Sequence, residues 1–588
     1  MSGRCKVPGV AGNHLLFVLF PMIAAMGQTA PGVDREVGSK ACARCHAEIY
    51  RKYSKTSMSR SSGKTGTGEF RENFERAGFS DPASGAEYRV TAAPDGYRLE
   101  FSRASSGTRG QRLLGWFVGS GRVARAYLFS LDGFLFQAPV SYYSLDAKWD
   151  ISPGYQQHSS IHLTRAVGTG CLQCHASRLQ PTAGTEYRFS AAPFLEGGVS
   201  CERCHGPGRN HVTRMTSGNA KGGSGIVNPA KLDSARRDSV CAQCHLTGAA
   251  RIVRVRAKDG DYRPGELLSD YAAYFVWTGP GAVMSANSHF EKLQQSACKR
   301  ASGDGLWCGS CHDPHGEPEP ARRVAFYRAR CEKCHQPAAC KGDPAARREA
   351  QDDCIGCHMP KSGIRDTEHA VFTDHTIPRR EGGVTSSPGG GSPAGGQSLV
   401  SPQKLAQNGV RREMVSAPDD GARRTLCAFW KTPVDDRDLA LAYAKVADAD
   451  AGLRQRAYDL LRKAEARDPD DTMVLTQLAQ LYDRAGKEDQ AMALSERVVR
   501  LDPADVAAAV NLGAYYVKRG RAREAMRLWA DALARSPALT GASMNLAVAQ
   551  YQAGDPAAAE ATLLRALEFD PDSDTARRLL AEIRDGGR

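Results

Sequence analysis

Hydrophobic and polar positions follow two different periods along this chain. From 435 to 588, apolar and small residues recur at helical spacing, and the pattern itself repeats every thirty-four residues. Pro469, Pro503, Pro537 and Pro571 keep that step, as do Gly452, Gly486, Gly520 and Gly554, and Ala457, Ala491, Ala525 and Ala559. Three registers in phase predict stacked helical hairpins: small residues where helices meet, glycine at the turns and proline closing each unit. With proline as position 32, the units run 438–471, 472–505, 506–539 and 540–573, followed by a capping helix over 574–586. Between 85 and 140 the period drops to two. Residues 87–91 and 97–101 flank Pro94-Asp95-Gly96, and Tyr127–Phe129 and Phe134–Phe136 flank Asp132-Gly133. These are hairpin signals and predict a small β-rich insertion. Residues 381–425 are rich in Gly, Ser and Pro and read as a flexible linker. The fold expected is mainly α, with an irregular region over 36–380 that holds the insertion, and a C-terminal α-solenoid over 435–588.

The irregular region carries the chemistry. Cys-x-x-Cys-His occurs seven times: Cys42/Cys45/His46, Cys171/Cys174/His175, Cys201/Cys204/His205, Cys241/Cys244/His245, Cys308/Cys311/His312, Cys331/Cys334/His335 and Cys354/Cys357/His358. Composition alone would give ~0.01 such pentapeptides in a chain of this length. Two thiols three apart reach the vinyl groups of one porphyrin edge, and the adjacent imidazole becomes the proximal ligand of the iron. Zinc sites also use Cys-x-x-Cys, but zinc has no reason to demand His directly after the second Cys in every copy. The pattern therefore predicts seven covalently bound c-type haems. At about fifty residues per haem, the porphyrins would supply much of the core of 36–380.

The second axial position of each iron decides between carrying electrons and binding a small molecule. Outside the motifs and residues 1–27 stand seven further histidines: His158, His162, His211, His289, His315, His369 and His375. Seven irons and seven spare imidazoles permit complete bis-histidine ligation. His315 lies three residues after His312 and His211 six after His205, so each would serve a neighbouring haem rather than its own. His158 and His162 are four apart and would share a helix face. The candidate distal ligands are His162, His211, His289, His315 and His375, with His158, His369 and Met58 as further candidates. The run from His46 to Met58 reads as helix, about 18 Å long, which would aim the Met58 thioether at a different haem and raise that haem's potential.

Residues 1–27 read as a secretory signal: basic Arg4 and Lys6, apolar 15–20 and 22–26, and a small-residue cleavage site at Ala25-Met26-Gly27. An apolar run of about a dozen residues is short for a membrane span. An uncleaved N-terminal anchor is the other reading, and no later segment could cross a membrane. Export implies a periplasmic or otherwise extracytoplasmic location. The formal charge is +13, or +11 without Arg4 and Lys6. Seven ferric haems at about −1 each would bring the total to ~+4, so the basic residues serve as propionate partners and argue against nucleic acid. Of eighteen cysteines, Cys298 and Cys340 are candidates for a disulfide, which would leave Cys427 over.

Cys-Ala-Arg-Cys-His, Val-Ser-Cys-Glu-Arg-Cys-His-Gly-Pro-Gly with His211, Cys-Gly-Ser-Cys-His-Asp-Pro-His and Cys-Ile-Gly-Cys-His-Met-Pro resemble the multihaem cytochrome c superfamily. That group includes the nitrifiers' tetrahaem electron carrier, octahaem hydroxylamine oxidoreductases and pentahaem nitrite reductases. With the thirty-four-residue register, which is the tetratricopeptide signature, the chain is similar to exported multihaem cytochromes with C-terminal tetratricopeptide repeats. The resemblance implies distal ligation by His211, His315 and His375. In relatives a His often stands where Met58 stands here, and the Cys-x-x-Cys-Lys motif of the nitrite reductases is absent. The function expected is electron transfer along mostly bis-His haems, to and from redox partner proteins, with a tethered repeat module docking a partner protein. The rival is a reductase or oxidoreductase of a small nitrogen or sulfur compound at one open-coordinate haem.

Overall fold

The computed structural model describes residues 36–68, 72–156, 158–218, 225–255, 257–258, 260–278, 288–363, 371–378, 425–430, 434–447 and 450–586. The expected signal segment 1–27, His369 and the linker up to 424 lie outside the described residues.

Several sheets occupy the N-terminal part, and they extend well beyond 85–140. A five-stranded antiparallel sheet runs in the order Ser62–Lys64, Trp116–Val118, Ala124–Leu131, Phe134–Tyr143 and Lys148–Ile151. A four-stranded antiparallel sheet follows chain order: Gly78–Asp81, Ala86–Ala93, Gly96–Arg103 and Thr108–Leu114. Strand Ala86–Ala93 alternates, with Ala86, Tyr88 and Val90 inward. Those residues join Leu99 and Phe101 against Phe117, Tyr127, Phe129, Phe136, Tyr142 and Trp149 of the other sheet. This is a conventional apolar core, which the haem count alone does not anticipate. The hairpin between the third and fourth strands of the larger sheet turns at Asp132 (φ 52°) and Gly133 (φ 81°), the left-handed pair such a two-residue turn requires. Strand Phe134–Tyr143 is buried along nearly its whole length, so its sequence lacks the alternation that marks a half-exposed strand. Smaller sheets follow: the hairpin Ala176–Pro181 with Phe189–Gly197, the pair Lys361–Gly363 with Val371–Thr373, and a three-stranded sheet. That last sheet joins Ala250–Val253, Ala272–Thr278 and Thr425–Ala428.

The C-terminal region is helical. Hairpins Asp436–Val446/Ala451–Arg467, Thr472–Arg484/Glu488–Leu501, Val506–Lys518/Ala522–Arg535 and Thr540–Gln552/Pro556–Phe569 precede a last helix, Asp574–Gly586. Aspartates cap the starts: Asp471 accepts from Val474 N at 3.1 Å, Asp505 from Ala508 N at 2.9 Å and Asp555 from Ala558 N at 2.9 Å. Gly486, Gly520 and Gly554 turn each hairpin with φ of 70°, 75° and 85°. Gly452 keeps the register but sits inside the helix, where its amide is capped by Asp450 at 2.7 Å. The helices of the third hairpin approach so closely that a Cβ on Gly513 would stand 2.4 Å from the Trp529 indole.

Both ends of the solenoid pack against the rest of the chain. At one end, helix Asp436–Val446 covers the three-stranded sheet, with Ala440, Leu441 and Tyr443 packed on Ile252, Phe275 and Leu426. Arg437 donates to Val253 O at 3.2 Å, and Arg254 pairs with Asp438. At the other end, Phe569 enters the core between the two large sheets, 5.4 Å from Phe136 between ring centres. Leu163 N donates to Phe569 O at 2.7 Å. Asp572, its side chain fully buried, accepts from Arg103 at 2.9 Å, Thr108 at 2.7 Å, Ile161 N at 3.1 Å and Arg577 at 2.6 Å. Apolar sheet faces need a cover, and the solenoid's ends supply it.

Candidate haem-binding cavity

Four motifs close an i to i−4 turn, whereas in the second His175 N donates to Leu172 O at 2.9 Å. The histidine amide donates to the carbonyl of the first cysteine at 2.9 Å in His46/Cys42, 3.0 Å in His205/Cys201, 2.8 Å in His312/Cys308 and 3.0 Å in His335/Cys331. An i to i−4 bond sets first thiol and imidazole on one face, as a shared porphyrin edge and iron require. All seven motif histidines, and thirteen of the fourteen motif cysteines (Cys171 being the exception), line one continuous cavity of about 4320 Å³. A single small-molecule pocket is ~300–1,000 Å³, so this space suits several large planar groups side by side.

Imidazoles face one another across this cavity. Ring centres lie 6.4 Å apart in His46/His211 with planes 17° apart, 5.9 Å in His205/His315 with 8°, and 6.2 Å in His312/His375 with 26°. His245 and His289 are 5.6 Å apart with planes 83° apart. Two metal–nitrogen bonds of ~2 Å, plus about 1 Å from each nitrogen to its ring centre, put trans imidazoles roughly 6 Å apart. These pairs therefore fit an iron between them. His289 also lies 5.0 Å from His375, so the His245/His289 and His312/His375 pairs adjoin.

The rings are prepared for metal. Nδ1 of His205 stands 2.7 Å from Val227 O, that of His375 3.0 Å from Thr373 O and that of His358 3.2 Å from Pro378 O. A proton donated there leaves the Nε2 lone pair for iron. Burial pushes the pKa values of His175, His245, His315 and His375 down, that of His312 to about 4 and that of His289 to about 3. Each is held as neutral imidazole, the form that ligates.

The remaining candidates fall elsewhere. Helix Ala47–Tyr53 stops after seven residues, because Thr56, Ser59 and Ser61 hydroxyls bond back to the carbonyls of Tyr53, Thr56 and Met58. Met58 thus lies in a turn rather than on a long helix. Its carbonyl and that of His175 share the Ser61 hydroxyl, at 2.8 and 2.9 Å, and it lines the cavity beside the second motif. His158 and His162 lie 3.6 Å apart, their planes tilted by 47°, beside Tyr155, outside the cavity lining and not on a helix. Burial, with His158 adjacent, takes the pKa of His162 down to about 4. No imidazole among the described residues pairs with His175, His335 or His358 in this way. Cys298 and Cys340 both line the cavity as free thiols, so the disulfide considered for them is not formed.

Two residues inside the third motif escaped sequence reasoning. Glu202, 3% exposed, accepts from Val37 N at 2.9 Å, Gly38 N at 2.8 Å and Gly208 N at 2.7 Å. It ties the loop before the first motif to the loop that leads to His211. Arg203 donates to Gln173 O at 3.0 Å and Gln243 Oε1 at 3.2 Å, joining the second, third and fourth motifs. Thiols also meet across motifs: Cys42 with Cys201, Cys174 with Cys244, Cys241 with Cys308 and Cys331 with Cys354.

Residues 146–206, which span the second and third motifs, match the family described as cytochrome c554 and c-prime. Residues 474–505 and 516–583 match tetratricopeptide repeat families. No curated protein matches the chain. Similar solved structures include MamA AMB-1, 26% identical over 26% of this chain and 87% of that one, with a TM-score of 0.23. MamA MSR-1 is 27% identical over 23% of this chain and 75% of that one, with a TM-score of 0.20. The family matches support a cytochrome that carries tetratricopeptide repeats in its C-terminal region.

Proposed function

We propose that the protein is an exported seven-haem c-type cytochrome that transfers electrons along a chain of mostly bis-His haems. The observation that carries this reading is one cavity lined by all seven motif histidines, with four imidazole pairs at the spacing of trans ligands. Bound haem supplies reversible one-electron iron chemistry. The chain's own residues do the rest. Cys42, Cys45 and their six counterpart pairs fix each group covalently; His46, His175, His205, His245, His312, His335 and His358 are the proximal ligands. His211, His289, His315 and His375 would hold the second side of the groups at the first, fourth, third and fifth sites. Thiol contacts favour neighbouring pairs first–third, second–fourth, fourth–fifth and sixth–seventh. Cys204 also lies near Cys241 and Cys311 near Cys331, which adds the third–fourth and fifth–sixth links. The attachment sites then run first, third, fourth, fifth, sixth, seventh, with the second as a branch on the fourth.

Tetratricopeptide repeats suggest protein interaction, and the first partner of these repeats is the chain's own sheets. A redox partner protein remains part of the proposal, as does a periplasmic or otherwise extracytoplasmic location. Among the described residues no helix is long and apolar enough to cross a membrane. Electron paramagnetic resonance of the oxidised protein tests the reading, with low-spin bis-imidazole signals expected from four haems. Substituting His211 or His315 should convert one haem each. A fully high-spin spectrum would defeat the assignment. Among the described residues no second imidazole faces His175, His335 or His358 at this spacing, which favours a second reading, reduction of a small nitrogen or sulfur compound at an open iron. Rapid cyanide or nitric oxide binding to one oxidised haem would support it.

A further inference from the structure

One of the four imidazole pairs is built differently from the rest. The planes of His46/His211, His205/His315 and His312/His375 lie 17°, 8° and 26° apart, whereas those of His245 and His289 lie 83° apart. The surroundings of His289 turn its ring. It stands edge to face with Phe372 at 5.6 Å and 69°, and with His375 at 5.0 Å and 86°. Both neighbours come from strand Val371–Thr373 and the turn after it, where His375 Nδ1 stands 3.0 Å from Thr373 O. The outer nitrogens differ as well. At the third site His205 Nδ1 has Val227 O at 2.7 Å, and at the fifth His312 Nδ1 has the Tyr327 hydroxyl at 3.4 Å. His289 Nδ1 is buried with no partner among the described residues.

Two effects then act in one direction. Nearly coplanar imidazoles donate π density into the same iron orbital and together stabilise the ferric state. Perpendicular ones divide their donation between two orbitals and leave those nearly degenerate. A hydrogen bond from Nδ1–H to an oxygen makes the ring a stronger donor, which also stabilises ferric iron. The third and fifth sites have both stabilisations. At the fourth, the planes are crossed and the His289 ring has no such bond.

We infer that the His245/His289 site has a higher reduction potential than the third and fifth sites, with Phe372 as the positioning residue that sets it. An electron that leaves the third or fifth site, oxidising it, is then held at the fourth, where the second site branches. The inference rests on the haem reading above and ranks its sites. A count of seven haems checks that reading separately.

The test uses the full haem-loaded chain, each variant first assayed for seven haems. Electron paramagnetic resonance of the oxidised wild type should show one strongly anisotropic low-spin signal, as near-degenerate orbitals require, beside rhombic signals from the coplanar pairs. His289→Ala should abolish that anisotropic signal. In a reductive titration it should disappear before the rhombic signals lost in His315→Ala and His375→Ala. Its reduction constant should exceed theirs by about tenfold, or ~59 mV for one electron. Phe372→Ala frees the ring, so the signal should turn rhombic and its midpoint fall, while Phe372→Tyr keeps both. Should F372A lose a haem, Phe372→Leu, which retains apolar bulk without a ring edge, decides. A rhombic wild-type signal at the His289 site, or a midpoint at or below those of the third and fifth sites, would overturn the inference. So would an unchanged signal in F372A or F372L with all seven haems.

Discussion

Replacing Asp572 with Asn tests whether the solenoid is clasped to the sheets rather than resting on them. Oδ1 accepts from Thr108 and Arg577, and Oδ2 from Arg103 and Ile161 N. The side chain is fully buried, while Arg103 and Arg577 keep 20% and 30% exposure. Asn preserves the shape but supplies one acceptor oxygen, so its amide must face an arginine and one further donor it cannot satisfy. Breaking a buried charge pair costs ~3–5 kcal/mol. Partial rehydration of the two arginines reduces that to about 2–4 kcal/mol, or roughly a hundredfold in the local opening equilibrium. Native-state hydrogen exchange reads this at the amides of Ile161 and Leu163, which bond to Asp572 and to Phe569 O. Their protection should fall about a hundredfold in D572N, while the capped amide of Val474, at the opposite end of the solenoid, keeps its protection. Equal protection in wild type and variant would refute the clasp. Loss at all three sites would instead mean global unfolding.

Other outcomes follow from the same geometry. Burial alone would raise the Asp572 carboxyl, but hydrogen bonds from Ser106, Thr108, Ile161 N and Arg577 hold it at about 2. Its stabilisation should therefore be complete above pH ~4 and vanish as pH falls through about 2, as acid unfolding monitored by exchange would reveal. Asp570 has the opposite sign: burial and the Asp572 charge raise it to about 6. Asp570→Asn should stabilise the joint by about 1–3 kcal/mol at pH 7, and the gain should shrink below pH ~6 and disappear near pH 4, measured by denaturant melts. Phe569→Ala opens a cavity between the sheets and should cost ~3–5 kcal/mol by the same melts. Met58→His should lower one haem's midpoint potential without changing haem stoichiometry; an unaltered titration would remove Met58 as a ligand.

Local chemistry was legible in the sequence where a residue's role depends only on its near neighbours. A thiol, a thiol and an imidazole within one helical turn are such a case, as are Gly486, Gly520 and Gly554 at the solenoid turns. Long-range packing was not. Strand Phe134–Tyr143 hides its period because both faces are covered, and Thr425–Ala428 pairs with residues about 150 positions earlier. His158 and His162 carry helical spacing, yet lie outside any helix with their rings 3.6 Å apart and tilted by 47°. The serine and threonine hydroxyls after Tyr53 end the helix that would have carried Met58 outward. Glu202 looks like a surface charge inside a motif, and only the fold brings three backbone amides to it. The pairing of His211 with His46, rather than with the adjacent His205, agrees with the short Gly-Pro-Gly spacing. Its distance, however, is a property of the folded chain.

The central claim is that seven haems are attached, one at each motif. Intact-chain mass spectrometry of the exported protein, paired with pyridine haemochrome absorbance, measures this directly. The account predicts seven haem equivalents per chain and fourteen thioether-linked cysteines, with Cys298 and Cys340 unmodified by haem. Fewer than seven equivalents, or zinc in place of iron at any motif, would contradict it.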